Sequence, residues 1–258
     1  SDPIHEELTQ RIFGCDGDGS LCSGTGTGYA DPAVLVGVRW NDDPPFRLSS
    51  GEAAKTHCKT TSTVRFETQP RCWLQLFKDA ERRALRGEPI GPGKALLYRT
   101  HFGDLQFLHA MGPMDGALAA NTQKAMLEWA EFTWRVAIGD LKAESKLRDV
   151  TLPSFQRHFG YTEWSVRDLF ALGTPALVRK LDDVAFGSML HMLQDSFAAG
   201  HVERLSPVRS ERCVIGQDTV RAPGHIVEFH SYGRQDHDAH AASDGMEAKD
   251  RHLQEQPD

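Results

Sequence analysis

The sequence predicts a mainly α-helical fold, a single domain with long loops and at most a small β-hairpin. Apolar residues recur at helical spacing over several long segments, whereas the alternation typical of strands is confined to short stretches. The chain has 258 residues, enough to bury one sizeable core. We therefore expect residues 1–258 to form one domain, with a polar tail after about residue 246 that is partly mobile.

Helical periodicity predicts the main core elements. Ile4–Phe13 reads as a short first helix, and residues 14–28 are too rich in glycine to be regular. A compact apolar run over residues 34–40 is stopped by Asn-Asp-Asp-Pro-Pro, so Asp42 and Asp43 stand at the end of an element. The longer helical segments are predicted over residues 73–85, 94–111, 117–141 and 175–199.

Evidence for strands is limited to two stretches. Residues 61–66 alternate between apolar and polar, and residues 213–226 hold β-branched residues broken by glycine and proline. Such short runs support a small hairpin and no larger sheet.

Charge and hydropathy exclude some classes of partner. Asp and Glu outnumber Lys and Arg by 36 to 29, and a net charge of −7 argues against a broad basic face for duplex nucleic acid. No apolar run reaches the roughly 20 residues that a transmembrane helix needs. The start of the chain also lacks the charged and apolar regions of a signal peptide, which is compatible with a mature, exported form.

The five cysteines leave the redox compartment open. Two short-range disulfides, Cys15 with Cys22 and Cys58 with Cys72, fit an exported protein, while five free thiols fit a reducing compartment. We favour a secreted or periplasmic protein. No pair has C-x-x-C spacing, so a cysteine zinc site is not expected.

The strongest chemical signal is a group of His and Asp residues late in the last helical segment. His191 and Asp195 are four residues apart, which places both side chains on one face of a helix, where they can bind one cation. Gly200 ends the helix, and His201 follows where the chain turns back. A buried core histidine beside a surface carboxylate is the simpler alternative, but a carboxylate near a helix C-terminus is unfavourable without a compensating cation.

The H-x3-D-x5-H spacing of His191, Asp195 and His201 resembles the central motif of the zinc-dependent phospholipase C and single-strand-specific nuclease superfamily. Further candidates follow in the order of that superfamily: a His near the N-terminus, an Asp after a Trp, a His before an aromatic residue, and a final His-x3-acid pair. The resemblance implies that these are His5, Asp42, His101, and His240 with Asp244. Three alternatives stay open, namely Asp43 for Asp42, His109 for His101, and His225 with Glu228 for the last pair.

The resemblance implies a helical enzyme with two to three zinc ions. One zinc would be held by Asp42, His101, His191 and Asp195, and a second by His201, His240 and Asp244. Asp195 would bridge to a third at His5, and Asp42 would also orient or deprotonate the attacking water, which makes it the catalytic residue. The chain departs from the superfamily in beginning with Ser1, where members commonly have a Trp that binds zinc, and in lacking the nucleases' proline between Asp195 and His201.

The implied activity is hydrolysis of the glycerol-side phosphodiester of phospholipids, with the substrate met at a membrane surface. A single-strand-specific nuclease with 3′-nucleotidase activity is the first alternative. A non-catalytic helical module that binds metal is an alternative of another class.

Overall fold

The chain is mainly helical, as predicted. The computed structural model describes residues 3–15, 28–206, 212–215, 218–221 and 224–234. The α-helices in this part of the chain are α1 (Ile4–Phe13), α2 (Pro32–Trp40), α3 (Ser50–Ala53), α4 (Pro70–Leu85), α5 (Leu96–Phe102), α6 (Ala119–Ala137), α7 (Pro153–Phe159), α8 (Val166–Phe170) and α9 (Leu181–Asp195). Short 3-10 helices span Gln106–His109, Leu147–Asp149, Pro175–Lys180 and Tyr232–Arg234.

Strands form two antiparallel pairs among the described residues. Strand β2 (Arg212–Ile215) and β3 (Asp218–Arg221) make the predicted hairpin. Strand β1 (Val202–Arg204) pairs with β4 (Ile226–Phe229), a second pair that the sequence did not predict. The alternation over residues 61–66 does not produce a strand. It contributes one isolated bridge, between Phe46 and Val64.

Local signals explain where several helices begin and end. The Asp31 side chain caps α2 by accepting a hydrogen bond from the Ala33 amide at 2.8 Å, and Pro32 occupies the first turn. Helix α1 ends at Gly14, whose φ of 109° lies in the left-handed region that glycine adopts without strain. The cap at Asp31 makes a helix of the apolar run that precedes Asp42.

The segment 94–111 is not one helix, contrary to prediction. Helix α5 stops at Phe102 because Gly103 adopts an extended conformation, and a Cβ there would lie 2.6 Å from the Ile90 carbonyl oxygen. The chain then turns through the 3-10 helix Gln106–His109. The segment 175–199 is likewise divided, into a 3-10 turn over Pro175–Lys180 and helix α9.

Within the described part of the chain, buried side chains form two hydrophobic clusters. The larger surrounds Trp129 and contains residues of α2, α6 to α9 and the Gln106–His109 turn. The smaller lies between α4 and α5 and includes Cys72, which forms a disulfide with Cys58, one of the two pairings that the sequence left open. Cys15 is also disulfide-bonded, but its candidate partner Cys22 lies outside the described residues, as does the polar tail. None of the described helices is both long and apolar enough to span a membrane.

Helices α2 and α9 cross in direct backbone contact at two glycines. A Cβ on Gly37 would lie 2.1 Å from the Val184 carbonyl oxygen, and one on Gly187 would lie 2.1 Å from the Val34 carbonyl oxygen. Only hydrogen fits at either position. Since Asp42 follows α2 while His191 and Asp195 lie on α9, this crossing sets the separation of the candidate ligands.

We expect Gly37→Ala to destabilise the fold. The gain in helix propensity, about 1 kcal/mol, is smaller than the cost of forcing the two backbones apart, so the net loss should be about 1–2 kcal/mol. Urea unfolding followed by circular dichroism measures it.

Gly51→Ala is the matched control. Gly51 lies in α3, where an added Cβ would meet no heavy atom within 4 Å, so this variant should be neutral or slightly more stable. Equal stability of both variants would contradict the close helix crossing.

Candidate metal centre

The Asp195 carboxylate lies at the centre of a buried group of histidines. Its Oδ2 is 3.0 Å from His191 Nε2 and 3.1 Å from His109 Nδ1. Its Oδ1 is 3.2 Å from His5 Nε2 and 3.7 Å from His201 Nδ1. We call Asp195, these histidines, and the neighbouring Asp42 and His101 the His–Asp cluster.

The four-residue spacing on α9 brings the His191 and Asp195 side chains together, as the sequence predicted. His191 and Asp195 share one face of the helix, and both are essentially excluded from solvent. His201 follows the end of α9 and returns to the same carboxylate. The three motif residues therefore meet in one place.

A buried polar network positions Asp42 beside them. Asn41 Nδ2 donates to the Leu108 carbonyl oxygen at 2.7 Å, and Ser188 Oγ donates to Asn41 Oδ1 at 2.6 Å. Asn41 is fully buried, so its amide links the end of α2 to α9 and to the turn that carries His109. Asp42 Oδ1 consequently lies 3.9 Å from His109 Nδ1.

Backbone carbonyls determine the tautomers of the central histidines. His191 Nδ1 lies 2.7 Å from the Val38 carbonyl oxygen, and His109 Nε2 lies 3.2 Å from that of Asn41. A carbonyl oxygen only accepts, so these ring nitrogens carry the hydrogens. In the neutral rings, the lone pairs of His191 Nε2 and His109 Nδ1 then face each other at 3.1 Å, both against Asp195 Oδ2.

Three acceptors facing one point require a positive charge between them. Ligands held at about 2.0–2.1 Å by a tetrahedral zinc are about 3.3 Å apart, close to the spacing in this cluster. Metal-binding imidazoles also usually donate a hydrogen bond from their other ring nitrogen, often to a backbone carbonyl oxygen. His201 Nδ1 and His101 Nδ1 follow the same pattern, donating to the carbonyl oxygens of His109 at 2.7 Å and Leu97 at 3.1 Å.

Among the residues that the structure describes, two sets of three ligand atoms are compact enough for a cation. One contains His5, His191 and Asp195, and the other contains Asp42, His109 and His191, with all atoms of a set within 4.8 Å of one another. Asp195 Oδ1 is buried and accepts no hydrogen bond of good geometry among the described residues, although His5 Nε2 is 3.2 Å away. A buried carboxylate oxygen in this position is suited to bind a cation.

The pKa shifts of the cluster residues also indicate a site that needs a positive charge. Burial raises the pKa of Asp195, but His201, His191 and His5 outweigh burial and hold the pKa well below its usual value. For His5, burial lowers the pKa, yet the Asp195 carboxylate outweighs burial and raises the pKa to about 10. The pKa of His109 is raised in the same way, by its hydrogen bond to Asp195 and by Asp42 against burial. In the cation-free chain, protons supply the positive charge.

The outer histidines are held neutral. Burial and the neighbouring His109 lower the pKa of His101 to about 3, and burial lowers that of His201. Neutral imidazole is the form that binds a metal. His101 lies 5.1 Å from His109 between ring centroids, outside both compact sets, with Phe77 and Tyr232 packed against its ring.

Asp42 is the cluster residue that water reaches most easily. Its side chain is 54% exposed, whereas those of the central residues are almost fully buried. Desolvation by the neighbouring protein raises its pKa, but the charges of His191, His109 and His5 lower it more, with part of their effect screened by the solvent. Its carboxylate is therefore ionised and accessible at neutral pH.

His109, which the sequence offered only as an alternative to His101, belongs to one of the compact sets of ligand atoms. A continuous helix over residues 94–111 would turn His109 away from His101, but the break at Gly103 brings it to the centre of the cluster. The signal was Gly103 followed by Asp104, a helix-breaking pair within an apolar run.

The other alternative residues, Asp43, His225 and Glu228, belong to neither compact set of ligand atoms. Asp43 accepts the Phe66 amide hydrogen bond at 3.0 Å, and burial raises its pKa to about 6, so it ties two loops together. His225 and Glu228 are exposed, while His230 donates from Nδ1 to the Gly200 carbonyl oxygen at 3.0 Å. His240 and Asp244 lie outside the described residues, as does Ser1.

A cavity of about 630 Å³ lies away from this cluster. It opens between α3, α4 and α5 beside Tyr98, and no His or Asp of the cluster lines it. The cavity is therefore separate from the candidate metal centre.

We expect cation binding to release protons at pH 7. The raised pKa of His5 means that its ring is protonated below about pH 10, so a cation at Nε2 must displace that proton. Affinity at this position should fall up to about tenfold for each pH unit below 10. In the cation-free chain, the stability contributed by His5 is full below pH 6.5 and is lost as the pH rises through about 10.

Calorimetric zinc titrations in two buffers of different ionisation enthalpy count the protons. His5→Gln should release about one proton fewer than the unchanged chain. His57→Gln, at an exposed loop position, is the control and should leave the count unchanged. An unchanged count for His5→Gln would contradict the assignment of His5 as a ligand.

No protein-family model, curated protein or solved structure matches the chain in comparisons with known proteins. The resemblance to the zinc-dependent phospholipase C and single-strand-specific nuclease superfamily therefore rests on the ordered residues themselves, and it stays a prediction.

Proposed function

We propose that the chain is a zinc-dependent phosphodiesterase, with phospholipase C activity as its main function. The observation that carries the proposal is that two ring nitrogens, His191 Nε2 and His109 Nδ1, converge on the buried Asp195 carboxylate, with an accessible Asp42 at the edge. Nitrogen-rich sites of this kind suit zinc, whereas calcium and magnesium prefer oxygen ligands. Bound zinc ions lower the pKa of a coordinated water and offset the charge on phosphate oxygens.

The chain's own residues supply the remaining parts of the chemistry. Asp195 holds several histidines in one place through charge, and the backbone acceptors of Val38 and Asn41 keep two of them in the tautomer that binds. The Asp42 carboxylate is ionised and open to solvent, so it can accept a proton from an attacking water. The buried His–Asp cluster thus activates water at a point that a substrate can approach.

Phospholipid is favoured over nucleic acid by charge. A net charge of −7 leaves little electrostatic attraction for a polyanion, while a single phosphodiester needs only the local positive charge of the metal centre. The lack of the nucleases' proline between Asp195 and His201 points the same way.

One observation favours a nuclease as the second candidate. Phe66 is 48% exposed and packs edge-on against Trp73 at 5.5 Å, and Trp73 lies 6.3 Å from His101 between ring centroids. Aromatic rings leading from the surface to a metal centre could stack a base.

We expect the zinc-loaded chain to release diacylglycerol from phosphatidylcholine vesicles, and chelation followed by dialysis to abolish the activity. Adding zinc back should restore it, because only the cation has been removed. Parallel digestion of single-stranded DNA distinguishes the second candidate. Turnover that persists after zinc is removed, or no turnover of either substrate, would argue against the proposal.

A non-catalytic metal module makes a different prediction for inorganic phosphate. An enzyme leaves a coordination position open, so phosphate should perturb the visible spectrum of the cobalt-substituted chain. A closed structural site should show no such change.

Adjacent aspartates provide a matched pair of variants. Asp42→Asn should lower zinc affinity by about 10-fold or more and remove most of the activity, since it weakens one ligand and the proton acceptor. Asp43→Asn should retain the zinc content, because Asp43 contacts the Phe66 amide and not the cluster. Elemental analysis after dialysis against limiting zinc compares them, and equal zinc loss in both would rule out the assigned role of Asp42.

A further inference from the structure

Gln194 precedes Asp195 on α9, and its amide contacts α1. Its Oε1 lies 2.9 Å from His5 Nδ1, and its Nε2 donates to Thr9 Oγ1 at 2.9 Å. His5 and Thr9 are four residues apart on α1, so one side chain bridges two successive turns of that helix. Thr9 is completely buried, which shields this end of the bridge from water.

The amide selects which nitrogen of His5 faces the carboxylate. With Nε2 of Gln194 directed to Thr9, Oε1 faces His5 and accepts a hydrogen bond from its Nδ1. His5 Nε2 is then left toward Asp195 Oδ1, 3.2 Å away, where the predicted third cation would bind. The reversed amide would present a donor to Nδ1 and would place the hydrogen on Nε2, which blocks a metal.

His5 differs in this respect from the other histidines of the His–Asp cluster. His101, His109, His191 and His201 each donate to a backbone carbonyl oxygen, which no substitution of a side chain removes. For Nδ1 of His5, the Gln194 side chain is the only hydrogen-bond acceptor among the described residues.

We propose that Gln194 is a positioning residue that holds His5 in the tautomer required to bind a cation together with Asp195. This inference rests on the proposed metal centre. Gln194 touches neither substrate nor cation, and it acts through the His5 ring alone. Losing the hydrogen bond that orients a metal-binding histidine lowers metal affinity by about 10–100-fold in known sites.

Zinc binding by the full chain tests the role of Gln194 without any assay of turnover. Gln194→Leu should lower the affinity for one zinc ion by about 10–100-fold, while zinc bound through Asp42 and His109 is retained. Gln194→Glu keeps an acceptor for His5 Nδ1 and should restore affinity to within a few-fold. Competition with a chromogenic chelator measures both, and circular dichroism confirms that each variant is folded.

Thr9→Val is the second variant, and it decides the outcome if Gln194→Leu does not fold. It has nearly the same shape but cannot accept the Gln194 hydrogen bond, so the amide is free to reverse, and we expect affinity for one zinc to fall several-fold. Unchanged zinc affinity in Thr9→Val and Gln194→Leu, or a loss in Gln194→Glu as large as in Gln194→Leu, would overturn the inference.

Failure of the proposed function gives a different result. If the chain binds zinc in a manner that depends on Gln194 but hydrolyses no phosphodiester, the function is wrong and the role of Gln194 stands. If the chain hydrolyses phosphodiesters and Gln194→Leu binds zinc as tightly as before, the role of Gln194 is wrong and the function stands.

Discussion

The arrangement of the segments around the candidate metal centre depends on one buried carboxylate. Asp195 ends α9 beside His191 of the same helix, and His5, His109 and His201 reach it from other segments of the chain. A buried carboxylate without compensating positive charge costs several kcal/mol, so these segments are attracted to it only while a proton or a metal balances its charge. Fold and chemistry are therefore joined at Asp195.

Much of this arrangement could be predicted from local sequence. The bounds of α1 agree with the predicted Ile4–Phe13, and the spacing of His191 and Asp195 was sufficient to place two candidate ligands on one face of α9. Both depend only on helical periodicity, which is a property of neighbouring residues.

The parts that could not be predicted depend on distant contacts. The apolar run of α2 has no polar face, so its period could not distinguish a helix from a buried strand. The Gly103-Asp104 pair is a local sign of a helix break, but the path of the chain after it depends on the Ile90 backbone of the preceding loop, and this path brings His109 to the centre. The role of Gln194 depends on α1 packing against α9, which no local pattern records.

The contacts of Asn41 affect the order in which parts of the chain can assemble. Its amide group joins backbone at Leu108 and a side chain at Ser188, partners that are 67 and 147 positions away along the chain. Contacts of such long range form only after most of the polypeptide has been ordered, because closing large loops costs entropy that local contacts do not repay. A nascent chain that has not yet reached α9 lacks His191, Asp195 and His201, and therefore cannot display the assembled cluster.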